Sequence, residues 1–263
     1  MFKGFIFDLD GTIYRGDQLI FGAEKVVRRL RENGRKVVFL SNNSLQAREH
    51  CATKLTRLGI PTPPEDVINS TFVMVQYLKK LTPQARLFAV GEIPFIEELR
   101  RAGFQISDEP KGVEYVVVAL DRAFNYQKLN LAFQAIRLGA HFIATNPDRT
   151  YPVETGEIPG CAGMIGAVEA VTGKKAEVVV GKPSHIMIQA ALEVIGFMPD
   201  DCILIGDSLE TDIRMGKDSG MATGIVLTGV TDEKTLEEYK HTSFQPDFVF
   251  QSIADVENLM IGG

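Results

Sequence analysis

Cysteine is scarce, with only Cys51, Cys161 and Cys202 among 263 residues. They lie far apart in apolar surroundings, which excludes a disulfide framework or a zinc ligand set and fits buried thiols in a reducing compartment. Long apolar runs are also missing: no stretch approaches the ~20 residues that a membrane-spanning helix needs. Positive charge does not dominate either. Lys and Arg number 28 against 34 Asp and Glu, a net charge of −6, which argues against nucleic acid as a partner. Met1-Phe2-Lys3-Gly4 runs straight into an apolar strand without a signal-peptide pattern, so the expected location is the cytoplasm. No internal repeat or low-complexity segment is found. What remains is a chain that is 45% hydrophobic and 24% charged, long enough to bury a substantial core and to hold two domains.

The first apolar run, Phe5-Ile6-Phe7, delivers Asp8 and Asp10 into the turn Asp8-Leu9-Asp10-Gly11-Thr12. Open α/β sheets place their ligand crevice at the carboxyl ends of strands, so the two acids are candidates for chemistry. Three more apolar runs end in polar clusters. Val37-Val38-Phe39-Leu40 leads into Ser41-Asn42-Asn43, Val178-Val179-Val180 into Gly181-Lys182-Pro183, and Ile203-Leu204-Ile205-Gly206 into Asp207-Ser208-Leu209-Glu210-Thr211-Asp212. Singly, each has a plain structural explanation: an Asx turn, a helix N-cap or a solvated loop. Four in one chain, each at a strand end, are hard to explain as loops.

Strand and helix alternate throughout, which predicts an α/β fold whose core is a Rossmann-like, doubly wound parallel sheet. Glu24 to Asn33 reads as a helix stopped by Gly34, Ser44 as the cap of a second helix reaching Gly59, and Ser70 to Leu81 as a third. Thr82-Pro83 is taken as a hinge. A second α/β pattern follows, with strands at Arg86 to Val90, Tyr115 to Leu120 and His141 to Thr145 and helices at Ile93 to Ala102 and Gln127 to Leu138. The catalytic layer is expected to resume at Val178. The domain reading is therefore a discontinuous core of residues 1–80 and 178–263, with a smaller α/β domain of residues 81–177 inserted in it.

Taken together, the four segments resemble the motifs of the haloacid dehalogenase-like (HAD) phosphatases: Asp-x-Asp-x-Thr, then Ser or Thr, then Lys, then Gly-Asp with a further acid. Asp8-Leu9-Asp10-Gly11-Thr12-Ile13-Tyr14, Ser41-Asn42-Asn43-Ser44, Thr145-Asn146-Pro147-Asp148 and Gly181-Lys182-Pro183-Ser184 are similar to the NagD-like, or 4-nitrophenylphosphatase, branch. The resemblance runs nearly end to end and implies an inserted C2-type cap that selects the substrate. It also implies hydrolysis of a small phosphate monoester through an aspartyl-phosphate on Asp8, with Asp10 as general acid and base.

A phosphate monoester is anionic and repels an anionic nucleophile, so its charge must be neutralised before attack. The resemblance assigns this to Mg²⁺ held by Asp8, the Asp10 backbone carbonyl and Asp207, with Asp212 one step behind. Lys182 is expected to offset charge on Asp8 and on the phosphoryl oxygens, and Ser41, Asn42 and Asn43 to donate to those oxygens at a helix start. Asn146 and Asp148 are candidates for the cap pocket, with a plain turn as the alternative. Asp121-Arg122 is either a substrate contact or an ion pair, and His185 is read as a capping or exposed residue. The expected partner is a small-molecule monoester. Self-association of two copies through the cap is left open, as is the identity of the ester. Two rivals use similar residues: a phosphomutase sharing the aspartyl-phosphate, and a phosphate-binding scaffold without turnover. A receiver-like signalling domain is disfavoured by the length of the chain and by Asp10.

Overall fold

The computed structural model describes residues 2–153 and 156–261. The domain reading at Met1, Glu154, Thr155, Gly262 and Gly263 lies outside them. In chain order the elements are β1 Gly4–Asp8, β2 Tyr14–Arg15, β3 Gln18–Leu19, α1 Ala23–Glu32, β4 Lys36–Ser41, α2 Arg48–Arg57, β5 Val67–Asn69, α3 Ser70–Leu81, β6 Arg86–Val90, α4 Ile93–Arg101, β7 Gln105–Ile106, β8 Tyr115–Val118, α5 Tyr126–Arg137 and β9 His141–Ala144. Then come β10 Thr150–Val153, β11 Gly156–Pro159, α6 Cys161–Thr172, β12 Val178–Val179, α7 His185–Ile195, β13 Cys202–Gly206, α8 Arg214–Asp218, β14 Ala222–Val226, α9 Glu233–Glu238, β15 Phe248–Phe250 and α10 Asn258–Ile261.

The chain forms two compact units. The first comprises Met1–Ser41, Arg48–Ile68 and Lys182–Gly263, and its centre is a six-stranded sheet of order β15-β14-β13-β1-β4-β5. Strands β1 and β13 are buried along their whole length and β4 in all but its first residue, the continuous apolar run of a parallel strand covered on both faces. Phe7 pairs in parallel register with Phe39 on one side and Ile205 on the other. A core of Phe5, Phe7, Phe39, Ile203 and Ile205 is closed by Val26, Val27 and Leu30 of α1 and by Leu55 of α2. The chain leaves β1 for β4 on one side and returns to β13 on the other, so the crevice at this reversal of strand order opens beside the ends of β1 and β13.

The second unit comprises Asn42–Ala47 and Asn69–Gly181. It has its own parallel sheet, β12-β9-β8-β6-β7, and its own core, in which Phe88, Val116, Val118 and Phe142 meet Ala132 and Ile136 of α5 and Ile165 and Val168 of α6. A separate antiparallel hairpin, β10 with β11, precedes α6.

Several boundaries differ from the sequence reading. The units divide after Ile68 and after Gly181, not at 80/81 and 177/178. Helix α3 belongs to the second unit because it packs on α4; the Thr82-Pro83 break ends the helix without ending a domain. Val178–Val179 does not resume the catalytic layer but forms the edge of the second sheet, paired with Ile143 and Ala144. Ser44 does not cap α2, which begins at Arg48. Its hydroxyl instead accepts from the Leu120 amide.

Candidate active site

Asp8 ends β1, Ser41 ends β4, and Asp207 follows β13. Parallel pairing of these three strands brings their carboxyl ends together, which is why residues 8, 41 and 207 meet despite their separation in sequence. Lys182 starts the return segment to the first unit, two residues before Ser184. The Ser184 hydroxyl caps α7 by accepting from the Ile186 amide at 3.2 Å. His185 is the first residue of that helix and is exposed; Ser184 is the cap, so of the two readings of His185, capping or exposed, the exposed one holds.

All four charged groups are buried: Asp8, Lys182, Asp207 and Asp212. Lys182 Nζ donates to Asp8 Oδ1 at 2.5 Å and to Asp212 Oδ1 at 2.7 Å. Asp212 is aimed from the other side by the Ser208 amide, which donates to its Oδ2 at 3.2 Å. The wide turn Leu209–Ile213 therefore folds Asp212 back over Gly206, where a side chain would overlap its carboxylate. The Val230 amide donates to Asp207 Oδ2 at 2.8 Å. Carboxylate oxygens of Asp8, Asp207 and Asp212 lie within 4.8 Å of one another.

The electrostatics follow from this crowding. Burial is the largest influence on Asp8 and drives its carboxyl well above the usual range, against the pull of Lys182 and with the push of Asp212 and Asp207. Burial, with Asp212 beside it, lifts Asp207 to about 7. Lys182 is raised as well, because Asp212 and Asp8 outweigh its own desolvation. Asp10 is raised by burial, with Lys54 and then Lys182 pulling the other way.

Three carboxylates against one ammonium leave a buried excess of negative charge. The donors are all oxygen, so the site fits a hard divalent cation, which would relieve the repulsion that raises Asp8 and Asp207.

The remaining candidates fall in the second unit and are engaged there. Asn42 Nδ2 donates to Asp148 Oδ1 at 2.9 Å, and Asn43 Nδ2 to the Tyr151 hydroxyl at 3.0 Å. Asn146 Nδ2 donates to the Asn42 carbonyl at 3.0 Å, while its Oδ1 accepts from the Asp148 amide at 3.3 Å. Ser41 is thus not followed by a helix start. Residues 42–47 are an irregular strap tied into the second unit, and the nearest helix begins six residues after Asn42. Asp121 is buried against Lys128 Nζ at 2.5 Å, and Arg122 makes a two-pronged bridge to Glu92 at 2.6 and 2.8 Å. Of the two readings of this pair, the geometry shows ion pairs.

Two features escaped the sequence reading. Lys54 of α2 lies 3.8 Å from the centre of the Tyr14 ring and acts electrostatically on Asp10; a lone lysine on a helix carries no signal. The loop Thr228-Gly229-Val230 touches Asp207, and its only mark in the sequence was one more apolar strand ending in Thr-Gly.

Comparison with known proteins agrees with this geometry. Residues 5–105 match the family model described as haloacid dehalogenase-like hydrolase, and residues 179–256 match a second HAD-like hydrolase model. The chain is 43% identical over 256 residues to the sugar-phosphatase AraL of Bacillus subtilis, covering 97% of this chain and 92% of the relative. It is 34% identical to an acid sugar phosphatase of Staphylococcus aureus over 97% of this chain and 98% of the relative. Among solved structures, p-nitrophenyl phosphatase from Archaeoglobus fulgidus superposes with a TM-score of 0.92 at 36% identity, covering 98% of this chain and 99% of that one. The 4-nitrophenylphosphatase from Thermotoga maritima also gives 0.92, at 30% identity, over 98% and 97% of the two chains. With four buried charged groups gathered at the strand ends and these relatives spanning nearly its whole length, the chain belongs to the haloacid dehalogenase-like hydrolases.

Proposed function

We propose that this hydrolase is a Mg²⁺-dependent phosphatase of small phosphate monoesters, with sugar phosphates as its preferred class. The observation that carries the reaction is the Lys182 ammonium bridging Asp8 and Asp212 within a buried group of three carboxylates. The substrate class rests on the names of the relatives, two of which are sugar phosphatases.

Asp8 and Asp207 with the Asp10 carbonyl would hold the cation, and Asp212 would orient Lys182 from behind. When bound, Mg²⁺ supplies charge neutralisation at the phosphoryl oxygens. Asp8 attacks phosphorus; the new bond runs from its carboxylate oxygen to phosphorus while the ester P–O bond breaks. Asp10, its carboxyl raised by burial, gives its proton to the departing alcohol. It then takes one from the water that cleaves the aspartyl-phosphate. Lys182 favours the Asp8 anion against the burial that raises its carboxyl, and donates to the phosphoryl oxygens together with the Ser41 hydroxyl. Asn42 and Asn43 stand one step back, their amides occupied by Asp148 and Tyr151.

The second unit acts as the cap that chooses the alcohol. Cytoplasmic placement belongs to the same reading, supported by three free, buried cysteines. So does pairing of two copies through the cap, supported by exposed Ile93, Tyr126 and Leu138.

The test is phosphate release from 4-nitrophenyl phosphate and a panel of sugar phosphates and other monoesters, with wild type and Asp8→Asn. We expect Mg²⁺-dependent release that Asp8→Asn abolishes and a specificity constant highest for a sugar phosphate. Release surviving in Asp8→Asn would displace the nucleophile. Transfer of the phosphoryl group to a second substrate without free phosphate would make the protein a mutase.

A further inference from the structure

The loop that follows β14 has no part in the motifs of the sequence, yet it is built around Asp207. Three contacts define it. The Val230 amide donates to Asp207 Oδ2 at 2.8 Å, and the next amide, that of Thr231, donates to the Asp207 carbonyl at 3.2 Å. Thr228 Oγ1 donates to the Gly11 carbonyl at 2.6 Å. Gly229 lies between these bonds, so close to Asp207 that a Cβ there would overlap the carboxylate. Gly11 completes the interlock. It has a positive φ of 86°, and a Cβ on it would lie 2.9 Å from both the Asp207 Cγ and the Gly229 Cα.

The loop is itself anchored. The Leu227 amide donates to the Phe250 carbonyl at 3.0 Å, Arg15 donates to the Thr228 carbonyl, and Asp232 caps α9 by accepting from the Thr235 amide at 2.8 Å. One short segment thus holds the Asp207 carboxylate by its Oδ2 and grips the peptide next to the Asp10 carbonyl.

We infer that Thr228, Gly229 and Val230 form a positioning loop that fixes Asp207 and the Asp10 to Gly11 turn in register, and so sets the affinity of the site for a divalent cation. This rests on the metal reading given above. Gly229 is required for room rather than for a left-handed backbone, because its φ is not among the positive ones. A methyl group there must displace the carboxylate or the loop. The Thr228 hydroxyl matters as a donor, so serine should serve in its place.

The variants are Gly229→Ala, Thr228→Val and Thr228→Ser. The primary readout is the dissociation constant of Mg²⁺, measured by calorimetry on the full chain after chelation and dialysis. A second readout is the split between the Mg²⁺ concentration for half-activation and the KM for 4-nitrophenyl phosphate. Loss of a group that orients a metal ligand costs about 10- to 100-fold in affinity. We expect Gly229→Ala and Thr228→Val to weaken Mg²⁺ binding by at least about tenfold on that scale, with KM at saturating metal unchanged and with affinity restored in Thr228→Ser. A folded Gly229→Ala with wild-type affinity would overturn the proposal. Should Gly229→Ala fail to fold, equal affinities in Thr228→Val and Thr228→Ser would overturn it just as well. A wild-type protein that binds no divalent cation would remove the metal reading and this proposal together. Wild-type binding with unaltered variants would remove this proposal alone.

Discussion

Asp8 is buried and Asp10, two residues on, half-buried, yet they have different partners, and this difference separates their roles. Asp8 is raised by burial but is bonded to the Lys182 ammonium, which favours its anion, as would a cation held beside it. Asp10 lies between burial and the weaker pull of Lys54 and Lys182, which suits a group that must hold and release a proton. For Asp10→Asn we expect a loss of about 10²- to 10⁴-fold in kcat with an alkyl phosphate, and a smaller loss with 4-nitrophenyl phosphate, whose leaving group departs without a proton. Equal losses across leaving groups of different basicity would remove the acid role. A second expectation concerns Asp207, whose carboxyl is lifted to about 7. In the unfolded chain it sheds its proton near pH ~4, so between these values the unfolded state binds fewer protons than the folded one. The metal-free protein must then lose stability as pH rises from about 4 to about 7. Asp207→Asn removes that cost. In chelator it should melt higher than wild type at pH 8, lose this advantage at pH 4, and gain nothing from added Mg²⁺. A melting difference that is the same at both pH values would contradict the assignment.

The elements differ in how far the sequence showed them. Strands β6, β8 and β9 were read to within two residues because each is a short β-branched or aromatic run between turn signals. Asp8, Lys182 and Asp207 were legible for the same reason, as charged residues just past such runs. Helix α3 was seen, but its membership was not, since a helical face states that it is buried without stating against what. Val178–Val179 was misplaced for a related reason: two valines before Gly-Lys fit the edge of either sheet, and only pairing with β9 decides. Asp121 shows the same limit, because one sequence gives no sign that Lys128, one helical cap later, is its partner. Lys128→Met leaves the Asp121 carboxylate, 1% exposed, without its cation. Breaking a buried pair in this way costs about 3 to 5 kcal/mol. The 31% exposure of the lysine puts our expectation at or below the lower figure, about 3 kcal/mol or less by denaturant unfolding, with the KM for small esters unchanged. An elevated KM at unchanged stability would restore Asp121 as a substrate contact.

At the level of the whole molecule, the chain passes between its two units at four places: after Ser41, Ala47, Ile68 and Gly181. Two of these crossings fall directly beside residues assigned to the phosphoryl group, Ser41 and Lys182. The strap of residues 42–47 has no helix or strand of its own and is held by bonds to Ser70, Leu120, Asn146, Asp148 and Tyr151. It also buries Leu45 in the core of the second unit. The second unit is therefore not one insertion but two, and a six-residue piece of it lies between β4 and α2. This leads to a sharp expectation for specificity exchange with a relative of different substrate preference. A chimera that imports only the segment from Asn69 to Gly181 places a foreign core around the native strap, with mismatched partners for Asn42, Asn43 and Leu45, and should be destabilised. A chimera that imports residues 42–47 together with that segment should fold like its parents, keep Asp8-dependent release from 4-nitrophenyl phosphate, and take on the donor's order of specificity constants over the sugar phosphate panel. Equal melting temperatures for the two chimeras would show that the strap is passive. A fully folded second chimera that kept the recipient's order of substrates would move specificity into the catalytic unit.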